Sequence, residues 1–191
     1  ISLLLIQILS ALATGGAVVC SQYLGKKMPE KAKLSAGQLM FIMLTSSGTV
    51  MILVLFLHRF LLRTIFGQIE ADVMDAAQIY FLISAISYPF LGVYNAGAAL
   101  FRSIGNSKIS MYTSLVMNVI NIGGNAILIY GAGIGVMGAA LATLIARMVS
   151  ALVMVVLLSK KDNPLCITTP GCMRPQKDVI GKILKIGIPS G

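Results

Sequence analysis

Acidic side chains are few in this chain, and none is placed for buried chemistry. Six of the 191 residues are Asp or Glu, and none lies inside the five long apolar stretches that take up most of the sequence. Buried polar chemistry, away from the membrane edges, therefore rests on amides, hydroxyls and one arginine, Arg147. Tryptophan is absent, and the single histidine, His58, stands beside Arg59 at the edge of a stretch, an interfacial position. The three cysteines supply no metal set. Cys20 lies within a stretch, and Cys166 and Cys172 are separated by five residues with no second pair or histidine to complete a zinc site. There is no nucleophile beside a base and no glycine-rich phosphate loop, which argues against an enzyme and against a bound cofactor.

What the chain has in abundance is apolar surface. Hydrophobic residues make up 57% of it, charged residues 11%, and the mean hydropathy is +0.91. A soluble domain of this length cannot bury so much apolar side chain, whereas a bilayer asks for only about 20 apolar residues per helix. Five windows qualify, at about 1–24, 39–62, 76–101, 109–130 and 138–158. They predict an all-α integral membrane protein, a polytopic helical bundle whose solvent is the lipid bilayer. Residues 159–182 are the one long polar segment, broken by Pro164, Pro170, Gly171 and Pro175, and read as a connector. Residues 183–191 read as the start of a further spanning helix. Because Ile1 already stands inside an apolar run, 1–158 is expected to be part of a larger membrane unit.

The net charge of +9 suggests nucleic acid only until its distribution is read. Lys26, Lys27, Lys31 and Lys33 fill the link 25–38, Arg102 and Lys108 flank the link 102–108, and Lys160, Lys161, Arg174, Lys177, Lys182 and Lys185 follow the fifth window. The second link instead offsets Arg59 and Arg63 with Glu70, Asp72 and Asp75, and the fourth carries no charge. The positive-inside rule places 25–38, 102–108 and 159–182 in the cytoplasm, and the expected location is the plasma (cell inner) membrane, crossed several times. The first window then enters from outside, so a protein starting in the cytoplasm would have an odd number of spans upstream, most simply one.

Polar residues recur at helical spacing within the spans. Ser114, Asn118, Asn121 and Asn125 share one face of the fourth window. Tyr80, Ser84, Tyr88 and Asn95 form a row in the third, where Pro89 is expected to bend the helix. The fifth shows Thr143, Arg147 and Ser150, and the first Gln7, Ser10, Thr14 and Ser21. These faces are expected to look at one another or at water. An unpartnered amide in hydrocarbon costs several kcal/mol, while a satisfied interhelical bond returns on average only about 0.6 kcal/mol. Lining up three asparagines thus fits a polar pathway for ions or substrate, the alternative being amides bonded between neighbouring helices. Arg147 lies mid-window at an insertion cost of about 2.5–3.5 kcal/mol. It is expected to be structural and to face the bundle interior, partnered by backbone carbonyls, water or a residue outside this chain, with direct substrate contact as the alternative.

Taken in order, the segments resemble a known family. Ser21-Gln22-Tyr23-Leu24-Gly25, the stretch from Ser87-Tyr88-Pro89 to Asn95, Phe101-Arg102-Ser103-Ile104-Gly105-Asn106-Ser107-Lys108, Asn121 to Asn125 before Ile129-Tyr130-Gly131, and Gly138-Ala139-Ala140-Leu141-Ala142-Thr143 are similar to segments of the multidrug and toxic compound extrusion (MATE) transporters. The resemblance covers spans two to six of the N-terminal lobe, the inter-lobe connector, and the start of span seven at Ile186-Gly187-Ile188-Pro189-Ser190-Gly191. It implies five helices of a six-helix lobe in a twelve-helix pseudo-twofold exporter, whose first helix and C-terminal lobe lie outside this sequence. The implied function is efflux of small organic compounds, often cationic, by alternating access, coupled to a sodium ion or proton. The implied cation site draws on Asn121, Asn125 and Thr143, with Asn95 and Tyr80 nearby and Asn118 on the same pathway. Some members carry an aspartate where Asn125 stands; the coupling carboxylate would then come from the first span or the second lobe. A lipid-linked oligosaccharide flippase of the same superfamily and a non-transporting membrane scaffold subunit are the alternative functions.

The charge pattern makes a topological prediction. In a background without native cysteines, a cysteine at Gly133 should react with a membrane-impermeant maleimide in intact cells, and one at Ser107 only after permeabilisation. The reverse pattern would invert the orientation.

Overall fold

The computed structural model describes residues 2–66, 71–160, 163–167 and 177–187. They form seven helices: α1 (Ser2–Gly25), α2 (Pro29–Phe66), α3 (Ala71–Ile86), α4 (Tyr88–Ser103), α5 (Ser107–Asn125), α6 (Gly135–Leu158) and α7 (Lys177–Gly187). A π-helical stretch, Ala126–Gly131, extends α5. Among the described residues four helices are long and apolar enough to cross a membrane, and α3 with α4 makes a fifth span bent by 41°.

Local chemistry explains where these bounds depart from the hydropathy windows. The link 25–38 is mostly helix rather than loop. Pro29 and Glu30 open α2, proline because its missing N–H is no loss in a first turn and glutamate because it complements the helix dipole. Lys31 and Lys33 thus ride on a helix. The third span breaks at Ser87, two residues before Pro89, since the proline ring obstructs the turn that precedes it. The start of a further span expected at 183 is part of α7, which begins earlier, at Lys177. That helix buries Val179 and Ile183 and leaves Lys182 and Lys185 exposed. Residues 168–176 of the connector, with Cys172, and residues 188–191 lie outside the described residues, as do Ile1 and Glu70. The turns behave as their glycines suggest: Gly105 and Gly133 adopt φ +79° and +67°, backbone that residues with a Cβ rarely enter.

Packing follows the small residues. α1 lies against α2, α4 and α7; α2 also touches α3; α6 is flanked by α3, α4 and α5. The main core joins Leu39 and Met43 of α2, Leu100 and Phe101 of α4 and Met154 and Leu158 of α6, all buried. α5 packs on α6 and α4 and buries little beyond Ser110 and Thr113. Its union with α6 is close: a Cβ on Gly124 would stand 2.9 Å from Ala142 Cβ. Likewise a Cβ on Gly15 of α1 would meet the α7 backbone at Gly187 Cα, 2.6 Å away, and Ile183 O, 2.8 Å away. Neither backbone can yield as a side chain would.

Overpacking such a contact costs about 1–3 kcal/mol. Gly15→Val should lower the thermal unfolding midpoint and raise proteolysis between Ser159 and α7. Gly48→Ala should leave both unchanged, because nothing lies within 4 Å of a Cβ there. Equal effects would mean that the α1–α7 contact does not hold the connector helix.

Candidate functional site

Close approach of α5 and α6 brings three of the expected site residues into one hydrogen-bonded chain. Thr143 Oγ1 donates to Ala139 O at 3.0 Å, Asn121 Nδ2 donates to Thr143 Oγ1 at 3.1 Å, and Asn125 Nδ2 donates to Asn121 Oδ1 at 3.1 Å. The structure gives this relay one direction. A hydroxyl has one proton, and Thr143 gives it to the backbone, so towards Asn121 it can only accept. Asn121 must then present its amino group to Thr143 and its oxygen to Asn125. Asn125 spends its amino group on that oxygen, and its own Oδ1 is left at the end of the chain, buried and without a hydrogen-bond partner. The relay thus terminates in a lone acceptor, suited to a cation or a proton donor. Immediately after it the backbone relaxes into the π-helical stretch, a feature frequent at functional sites.

Asn95 on α4 also has a buried polar atom without a partner, Nδ2, but no hydrogen bond joins it to the relay. Asn118 is exposed on α5 and stands apart from the three. Tyr80 on α3 is 43% exposed.

Arg147 lies one turn beyond Thr143 on α6 and makes the second polar link. Its Nη1 donates to Ser87 Oγ, and Ser87 Oγ donates to Ser84 O at 2.6 Å. Ser87 is fully buried at the bend between α3 and α4. Tyr88, 2% exposed, and Tyr80 lie within electrostatic range of the guanidinium. The structure thus gives the arginine one partner that the sequence expectation did not include, a side chain of this chain. Sequence reasoning did not single out Ser87 as a partner, although it stands three residues after Ser84 and seven after Tyr80, because the pattern marks it only as part of the proline break. Several hydroxyls on the polar faces are satisfied within their own helices: Thr14, Ser21 and Ser150 donate to Ser10 O, Val18 O and Ala146 O.

Apolar spans, a broken helix joined at its bend to an arginine, and an intramembrane amide relay define a polytopic helical membrane protein with polar links between its spans. The MatE family model matches residues 1–127, and the chain belongs to that family. It is 32% identical to the Bacillus subtilis "Uncharacterized transporter YisQ", covering 98% of this chain and 41% of that protein. It is 27% identical to the "Multidrug export protein MepA" of Staphylococcus saprophyticus, covering 92% and 38%. Its fold matches an inward-facing multidrug resistance MATE family transporter of the MOP superfamily with TM-score 0.89 and 25% identity, covering 97% of this chain and 42% of that one. An outward-facing structure matches with TM-score 0.88, 25% identity and coverage of 97% and 41%. The chain thus spans about two fifths of the length of the curated relatives it matches.

Leaving a buried guanidinium without its acceptor costs about 1–3 kcal/mol or more. Ser87→Ala should lower stability by that order, and in a double-mutant cycle with Arg147→Met the losses should fall short of additive by about 0.5–3 kcal/mol. Strict additivity in thermal unfolding would dissolve the link.

Proposed function

We propose that this chain forms the greater part of the N-terminal lobe of a secondary active exporter, which moves small organic, often cationic, compounds outwards as a sodium ion or proton moves inwards. The observation that carries this reading is the lone Asn125 oxygen at the end of the Asn121–Thr143 relay. A static amide ladder would have closed on itself, since an orphaned carbonyl in a bilayer costs several kcal/mol. A cation or a donated proton reaching that oxygen removes the penalty, and so gives the ion a reason to bind at this depth. The five apolar windows hold no titratable acid, with Glu30, Asp72 and Asp75 standing at the ends of α2 and α3 outside them, so on this reading the coupling carboxylate belongs to the first span or the C-terminal lobe. Family membership supports the transport class. The near-equal fit of this bundle to inward-facing and outward-facing structures supports a lobe that moves largely as one body while access alternates. The lysine-rich links support a plasma-membrane protein with 25–38, 102–108 and 159–182 in the cytoplasm.

Efflux of a fluorescent organic cation from everted vesicles under separate sodium and pH gradients tests this. Asn125→Ala and Thr143→Val should each reduce ion-driven efflux by about tenfold, equivalent to ~1.4 kcal/mol, while membrane insertion is unchanged. Asn125→Asp should make efflux newly pH-dependent: only the protonated acid can still donate to Asn121 Oδ1, so the relay holds at low pH and is lost as the carboxyl ionises. No gradient-driven efflux of any cation by the wild type would overturn the exporter and favour a flippase.

A further inference from the structure

A second polar site lies away from the relay, at the lysine-rich end of the bundle, where the last turn of α1 meets α7. A pocket of about 300 Å³ there is lined by Val19, Gln22, Tyr23 and Lys26 of α1 and its adjoining turn, and by Lys182, Lys185 and Ile186 of α7. Three lysines thus line one cavity with no carboxylate in its wall. The only ion pair among the described residues, Lys33 with Glu30, is elsewhere. Lys182 Nζ donates to Tyr23 Oη at 3.1 Å and lies 5.7 Å from the centre of the Tyr23 ring, so neutral groups hold it in place. The Tyr23 hydroxyl proton and the Gln22 amino group remain as further donors.

We infer that this pocket binds a phosphate group, and that its natural occupant is the headgroup phosphate of an anionic phospholipid. Converging lysines repel one another unless an anion sits among them, and the several oxygens of a phosphate match the number of donors gathered here. The apolar part of the wall favours a lipid. Val19 lies about 10 Å along the helix axis from Lys26, on the bilayer side, so the cavity grades from cationic to apolar as a phospholipid does from headgroup to chain. Basic pockets at the cytoplasmic ends of membrane helices bind anionic headgroups by this same combination. Because one wall is α7, an occupied site also ties the connector helix to α1, and lipid composition becomes a means of setting the connector's position. This inference rests only on the membrane topology and is independent of the transport reading.

The experiment uses the purified protein in nanodiscs of phosphatidylcholine with or without phosphatidylglycerol, and native mass spectrometry to count retained lipid. We expect one phosphatidylglycerol to be retained preferentially, about fivefold less firmly for each of Lys26, Lys182 and Lys185 changed to Gln, and on the order of 100-fold less in the triple variant. The triple Lys→Arg variant guards against misfolding and should retain the lipid, since it keeps the charge. In a second arm, glycerol phosphate added to phosphatidylcholine nanodiscs is read by the shift in thermal midpoint. A lysine-dependent shift there without phosphatidylglycerol retention keeps the phosphate site and makes its source soluble. The inference is overturned if neither phosphate source binds, or if Lys108→Gln with Lys160→Gln weakens retention as much as the triple variant does.

Discussion

The interior of a bilayer offers no hydrogen bonds, and that constraint sorts the polar residues of this chain into two kinds. Hydroxyls can be satisfied within their own helix. Ser47 bonds Met43 O, Thr113 bonds Ile109 O and Ser150 bonds Ala146 O, each one turn back, so these residues make no demand on a neighbouring helix. A carboxamide or guanidinium carries more donors than a preceding carbonyl can accept. Asn121 and Arg147 therefore reach across to Thr143 and Ser87, and those two links are where tertiary structure and polar chemistry coincide.

Both links end on α6, and its residue order explains why. Gly138 and Ala142 keep the side facing α5 small: a Cβ on Gly138 would lie 3.0 Å from the Leu128 backbone, and Ala142 already meets Gly124. Only at this separation can a short Asn side chain touch a Thr on the neighbouring helix. One turn on, Arg147 reaches the bend of the third span, and beyond it Met154 and Leu158 enter the main apolar core. α6 thus grades from close backbone contact through polar linkage to hydrophobic packing, and it joins α5, otherwise sparsely buried, to the rest of the bundle.

Spans were legible in the sequence because hydropathy over about 20 residues is a property of length and composition alone. That Asn121 and Asn125 share a face was legible too, since spacing of three and four residues fixes a helix face before any neighbour is known, whereas Thr143 on the next helix was placed with them by the family resemblance alone. What spacing could not convey is which polar side chains a helix satisfies by itself. The Ser10, Thr14 and Ser21 row looked like a face seeking a partner, and backbone geometry closed it locally. Ser87 was hidden for the opposite reason: its value comes from a bend whose position depends on the turn before Pro89. The α1–α7 pocket joins lysines more than 150 residues apart, and nothing in a linear charge pattern separates lysines that set topology from lysines that converge.

The two polar links share a further property that bears on what Arg147 does. Each falls where a helix leaves regular α geometry: Ser87 at the 41° bend, and Asn125 at the passage into the π-helical stretch. Irregular backbone at membrane depth is tolerated only where protein covers it, and Ser87, fully buried, meets that condition. An arginine aimed at substrate would have its donors directed into an open path. Here one of them is committed to a hydroxyl that is itself committed to the Ser84 carbonyl, inside the turn that the bend distorts. The guanidinium thereby joins α6 to the bend between α3 and α4. A donor committed inside a buried bend fits the expected structural arginine better than one reserved for substrate.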